Sequence, residues 1–243
     1  SLTAPIIPPA NSANRLAGQM IDPGVLLLIG AWLKVVGVLC LPFFLVPLVA
    51  VAVPGLLDGL ARRMIRVLDA LSGGALNAAI FSALLLVVSQ LAVVILRYAF
   101  GLSFTWLSEI VIYAFAAMFM LGSAAALRDD AHVRVDILRP RFGETGRNWI
   151  ELVGTYLFLF PICFRLITTG EQGLSRSWSL LEGSRESDGL PILFLFKTLV
   201  PVFAVLLMGA GLSVALKAAL RLNGALPPAD TPIEGETGDH DGI

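Results

Sequence analysis

The sequence predicts an all-α polytopic membrane protein, with four core transmembrane helices, an extra N-terminal hydrophobic helix and an amphipathic interfacial helix. Composition is the first reason. Of the 243 residues, 57% are hydrophobic and 14% charged, against about 25% charged in a soluble domain, which is too little polar surface to cover a globule in water. The second is length: the apolar residues fall into runs near the ~20 residues that cross a bilayer as helix. The third is charge placement, because lysine and arginine gather in alternate loops. The formal net charge of −1 gives no reason to expect a nucleic-acid partner.

Residues 1–24 are rich in Pro, Ala and Asn, with Arg15 the one basic residue, and are expected to form a disordered tail. They do not show the basic residues ahead of a short apolar core that mark a cleaved signal. Residues 25–57 are read as the extra N-terminal membrane helix, apolar except for Lys34. As helix this stretch would reach about 50 Å against a hydrocarbon core of about 30 Å. It is too long for one upright span and too short for two. Pro42, Pro47 and Pro54 predict one kinked span, roughly 34–56, whose freed carbonyls must be satisfied by neighbours; a re-entrant hairpin is the alternative.

In 58–74, Leu60, Met64, Val67, Leu68 and Leu71 share one helical face and Arg62, Arg63 and Arg66 take the other sides. That pattern suits a helix lying in the membrane interface; a charged helical connector is the plainer alternative. The four-helix unit follows over 75–222, with spans near 75–96, 107–127, 149–169 and 190–215. Beyond it, 223–243 is acidic and rich in Pro and Gly, the composition of a disordered tail.

Orientation follows from the short loops. Arg62, Arg63 and Arg66, then Arg128, Arg134, Arg139, Arg141 and Arg147, then Lys217 and Arg221 alternate onto one side. Arg15, Arg97, Arg176 and Arg185 fall on the other. Ten against four makes the first side cytoplasmic, so the N-terminus is expected in the periplasm and the C-terminus inside.

Ionisable groups at membrane depth cost at least about 2.5–3.5 kcal/mol at the bilayer centre, so each requires a reason. Arg165, Lys197 and Glu109 lie toward the outer ends of their spans, and Arg97 ends the one before. Snorkelling to the headgroups is one reading of the basic residues. The other is a structural network of mixed sign, in which Glu109 and Glu171 meet Arg165 or Lys197. Small residues also recur on helix faces: Ala75, Ala79 and Ala83; Ala114, Gly122 and Ala126; Gly209 and Ser213. Such faces let helices approach closely in lipid.

Enzyme chemistry finds little footing. Cys40 and Cys163 lie in apolar runs and read as small buried hydrophobes. His132 and His240 lie in a charged loop and a polar tail, so no span offers an imidazole to a haem. Paired carboxylates, a nucleophile with its base, metal-ligand spacing and a phosphate loop are all missing from the spans. No catalytic residue, cofactor or metal is expected.

Several stretches, in order, closely resemble the small (Q-type) membrane subunit of tripartite ATP-independent periplasmic (TRAP) transporters. They are "RYAFG" at 97–101, Trp106 with Glu109, "LGSAAALR" at 121–128, "HVRVD" at 132–136, "SWSLLEGSRESDGLP" at 177–191, and Lys197 followed by Pro201. Together they cover about residues 56–222. The resemblance implies two protein partners besides the lipid bilayer. One is a large membrane (M-type) subunit that carries solute and sodium and moves as an elevator; the other is a periplasmic solute-binding protein. It implies a bracing role for this chain in the bacterial inner membrane, with Trp106 and Glu109 shaping the outer edge near the docked binding protein. The "HVRVD" group would anchor the cytoplasmic loop.

Within that loop His132, Arg134 and Asp136 alternate with Val133 and Val135, so an extended segment could bury one side. Arg128 with Asp129, Asp130 and Asp136 allows exposed ion pairs, worth only about 0–1 kcal/mol each. Ala131 stands where relatives usually carry glycine before the histidine, and the shortest relatives lack a counterpart of 24–57. "EGSRESDGLP" is similar to members grouped with uptake of 2-oxo acids, mannitol or chloroaromatic compounds. The leading expectation is a non-catalytic subunit of a sodium-coupled importer of organic anions. A helical anchor of another complex, such as a quinone-linked redox complex, is the alternative. A self-contained transporter comes third, because no internal repeat is visible.

Overall fold

The computed structural model describes residues 42–129, 139–184, 186 and 188–227, and every regular element among them is helical. A short apolar helix, α1 (Pro42–Ala52), comes first. Four helices long and apolar enough to cross a membrane follow: α2 (Asp58–Phe100), α3 (Thr105–Arg128), α4 (Gly143–Ser179) and α5 (Leu193–Leu222). His132, Arg134 and Asp136 lie outside the described residues, as do all of 1–41 and residues 228–243 of the acidic tail.

The amphipathic segment 58–74 and the first core span are one helix of 43 residues. The Gly73–Gly74 pair between them does not interrupt it. Two helical glycines cost about 1 kcal/mol each relative to alanine, and at Gly73 the missing side chain has a use. A Cβ there would lie 3.3 Å from Nη1 of Arg128.

Helical backbone resumes at Arg139 and breaks at Gly143, whose φ of 60° favours glycine, before α4 proper. Within α4 the turn Thr155–Leu159 is π-helical, with the Phe160 amide donating to the Thr155 carbonyl. The widened turn lies immediately before Pro161, which has no amide to donate and whose ring crowds the carbonyl four residues back. A wider turn accommodates both conditions. α5 carries Pro201 and ends in a Schellman cap, with Ala225 N bonded to Leu220 O at 2.8 Å and Gly224 N to Arg221 O at 3.0 Å. Gly224 occupies the left-handed position at φ 70°.

The chain divides into two compact units. Among the described residues, one takes in 79–120 and 165–204, the other 43–78, 121–164 and 205–227. The second holds the best-defined core, in which Val46, Ala61, Leu212, Leu216 and Leu220 are buried. Phe44, Leu57, Met64, Leu68 and Phe160 pack around them. From Ala210 to Leu220 nearly every residue of α5 is buried. A helix with so little solvated face belongs at the centre of its unit. Close approach is built in at Gly211, where any Cβ would overlap Leu159 of the π turn.

α1 is fastened to the same unit near both ends. Pro54 has no amide, so the carbonyl of Ala50 loses its helical donor; Asn223 Nδ2 supplies one at 2.6 Å. The Tyr156 hydroxyl donates to the carbonyl of Phe44 near the other end of α1, a bond that owes nothing to a missing proline amide. Phe44 also meets Phe160 edge-on, with centroids 4.8 Å apart. The carbonyl that Pro54 frees is thus served from the end of α5, while residues 34–41 of the expected kinked span lie outside the described residues.

In the first unit, small buried residues line the contacts: Ala79 and Ser89 of α2, Ala114 of α3 and Ala204 of α5. Tyr113 of α3 stacks on Phe196 of α5 at 4.5 Å. Trp178 of α4 meets Phe194 edge-on at 5.0 Å, and its indole N–H donates to Thr198 Oγ1 at 2.9 Å.

Candidate functional site

Among the described residues, each unit contains a cluster of polar side chains that joins its elements, and the two clusters differ in construction. In the first unit the cluster organises the connection between α4 and α5. α4 ends in a Schellman cap, with Glu182 N on Ser177 O at 3.0 Å and Leu181 N on Trp178 O at 3.2 Å. Leu181 holds the left-handed position (φ 45°) that glycine usually fills, an uncommon conformation for a leucine. The chain then folds back on itself. Ser184 N donates to Leu190 O at 3.0 Å and Phe194 N to Glu182 O at 3.1 Å.

Glu109 of α3 captures this loop from the side. One carboxylate oxygen accepts from the Ser184 hydroxyl and the other from the amide of Leu190 at 2.7 Å. Charged acceptors make the stronger class of hydrogen bond. Gly189 is indispensable to the arrangement: a Cβ would overlap Ser184 and lie 2.7 Å from Glu109 Oε1. Beside it, Glu182 accepts from Ser177 Oγ at 2.7 Å and ion-pairs with Lys197 of α5. The "SWSLLEGSRESDGLP" stretch is thus a loop whose polar side chains and glycine determine its own fold.

In the second unit, Asp69 joins three helices. Its carboxylate accepts from Ser213 Oγ at 2.6 Å and pairs with Lys217 Nζ at 2.8 Å, both on α5. Its main-chain carbonyl accepts from Arg128 Nη1 of α3 at 2.8 Å. The rest of the Arg128 fork grips Asp129 through Nε at 2.6 Å and Nη2 at 2.8 Å. That hydrogen bonding holds the Asp129 carboxyl below its ordinary range, against a smaller opposing effect of burial.

The sequence-nominated residues are distributed as follows. Glu109 and Lys197 both serve the α4–α5 connection, although the carboxylate that meets Lys197 is that of Glu182. Arg165 lies on α4 in the same unit. Arg97 borders a shallow crevice with Val93, Leu96, Leu102 and Phe104. Trp106 lies on the neighbouring surface, with its ring 6.1 Å from that of Phe104. In the other unit Gly122 is half-buried and Arg128 is the α3 member of the Asp69 cluster. Sequence reasoning missed Asp69, Lys217, Glu182 and Ser184. The available signal for Asp69 was a carboxylate at the edge of the arginine side of an amphipathic helix, seven residues after Arg62 and three after Arg66. For Lys217 it was the four-residue spacing from Ser213.

Chemically, these groups bond helix to helix and loop to helix. Comparison with known proteins agrees with a transport component. A family model described as "Tripartite ATP-independent periplasmic transporters, DctQ component" matches residues 86–221, more than half of the chain. No curated protein and no solved structure matches the chain.

Proposed function

We propose, because the chain belongs to the DctQ component family of the tripartite ATP-independent periplasmic transporters, that it is the non-catalytic small membrane subunit of a sodium-coupled importer of organic anions. In this reading it braces a large elevator-type membrane subunit in the bacterial inner membrane. Its N-terminus is periplasmic and its C-terminus cytoplasmic, as the distribution of arginine and lysine favours. The Glu109-held loop and Trp106 then face the periplasm and help to dock the solute-binding protein. His132, Arg134 and Asp136 anchor the cytoplasmic loop. The cargo class extends to 2-oxo acids on the strength of the 182–191 sequence alone.

The observation that carries the proposal is the family match over 86–221. Support for a bracing role comes from how charge is used: Lys197 pairs with Glu182, Lys217 pairs with Asp69, and Arg128 donates to the main-chain carbonyl of Asp69. Such pairs fix helix positions. The test is reconstitution. Co-expressed with a large membrane subunit and a binding protein encoded beside it, this chain should co-purify with the former. Sodium-driven uptake into liposomes should require all three. Flux catalysed by this chain alone, or a large subunit that assembles and transports at full rate without it, would overturn the reading.

A further inference from the structure

The first turns of α2 carry an exposed apolar stripe and, further round the helix, three exposed arginines. Leu60, Val67 and Leu71 recur at spacings of seven and four and are 42%, 56% and 57% exposed. Arg62 and Arg66 are one turn apart, with Arg63 between them and the apolar stripe. Arg62 donates to the carbonyl of Ala225 at 3.3 Å. The guanidinium groups of Arg63 and Arg66 make no bond with a described residue. The acidic residues of the stretch do not neutralise them: Asp58 and Asp69 are half-buried, and Asp69 is engaged by Ser213 and Lys217. As helix, the 43 residues of α2 reach about 64 Å, twice the ~30 Å hydrocarbon core, so part of the helix must project into the headgroup layer. The polar end is the part that does so.

From this juxtaposition we infer that the start of α2 is a binding surface for anionic phospholipid. Arg63 and Arg66 hold the headgroup phosphate and Leu60, Val67 and Leu71 lie along the acyl chains. A zwitterionic lipid offers the same chains and a phosphate, but its ammonium meets the unneutralised arginines. An anionic headgroup brings complementary charge. A soluble anion would use the arginines and leave the apolar stripe uncovered. An acidic protein face would have to bury that stripe against lipid-exposed side chains of its own.

The test uses the full chain purified in detergent, titrated with phosphatidylglycerol or phosphatidylcholine and followed by native mass spectrometry. Phosphatidylglycerol should bind more tightly. Arg63→Gln/Arg66→Gln should weaken it about 30-fold, on the usual contribution per basic residue near an anionic surface. Arg63→Lys/Arg66→Lys should stay within a few-fold of wild type, and Arg97→Gln, in the last turn of α2, should leave it unchanged. On the wild-type protein, raising salt should release phosphatidylglycerol and spare phosphatidylcholine. Equal binding of the two lipids, binding indifferent to salt, or undiminished binding to the glutamine variant would each overturn the inference. So would a glutamine variant that keeps the lipid but no longer co-purifies with a large membrane subunit, since the surface would then be a protein contact.

Discussion

Asp69 of α2 and Lys217 of α5 form an ion pair at 2.8 Å although they are 148 residues apart in the chain. Both side chains are about three-quarters buried. Each charge is therefore tolerable chiefly because of the other, and the Ser213 hydroxyl satisfies the second carboxylate oxygen. Asp69→Asn should lower stability by about 1–3 kcal/mol, the cost of leaving a partly buried partner unmatched. Ser213→Ala should cost less. Thermal unfolding in detergent measures both. Asp69→Asn combined with Lys217→Met should destabilise less than the sum of the single changes; strict additivity would mean that the pair has no coupling.

Glu109 is expected to control the order of the loop that it holds. Glu109→Ala removes the acceptor of the Ser184 hydroxyl and of the Leu190 amide. Exchange of the Leu190 amide hydrogen should accelerate by tenfold or more, with the cores of α2 and α5 unchanged. Gly189→Ala should produce the same local loosening from the opposite direction, because its Cβ occupies the space of Ser184. A Glu109→Ala protein with unaltered exchange at Leu190 would show that the loop folds without the carboxylate.

How far this arrangement was legible in the sequence depends on the range of the interaction. Lys197 stands out in the sequence because a cation in an apolar run needs either the headgroups or a carboxylate, and here it pairs with Glu182. The identity of Glu182 was hidden, since its position depends on a left-handed Leu181 and on a reversal that requires Gly189. Pro42, Pro47 and Pro54 announced freed carbonyls. Asn223, which serves the one that Pro54 frees, is more than 100 residues away and resembles an ordinary helix residue. Gly73–Gly74 does not interrupt α2, and local propensity gives no view of the Arg128 side chain that packs against Gly73. The family resemblance does not depend on these contacts, because it rests on ordered motifs along the chain.

Gly211 should tolerate alanine poorly, for a reason that a second substitution can expose. The added methyl group overlaps the end of the Leu159 side chain in the π turn, and Thr155 Cγ2 is 3.4 Å away. Overpacking of this kind typically costs about 1–3 kcal/mol. Leu159→Ala opens the same space and should recover part of the loss in the Gly211→Ala background, although alone it leaves a cavity. If the double variant is no more stable than Gly211→Ala, the contact between the π turn and α5 is not what limits the glycine.

The attachment of α1 supplies the last prediction. Asn223→Ala removes the amide that serves the Ala50 carbonyl, and Tyr156→Phe removes the hydroxyl that serves Phe44. Asn223→Ala should cost about 1–2 kcal/mol, the usual range for a partly buried carbonyl left without a donor. Tyr156→Phe should cost less, because the Leu48 amide remains within helical reach of the Phe44 carbonyl. The two bonds lie at opposite ends of α1, so together the changes should release it, and a proteolytic site engineered at Val49 should become cleavable. Pro54→Ala distinguishes capture of a freed carbonyl from simple packing. It restores a main-chain amide within reach of one further helical turn, so Asn223→Ala should be milder in the Pro54→Ala background. An equal loss in both backgrounds would mean that Asn223 acts by filling space, and that the missing proline amide is not what makes it necessary.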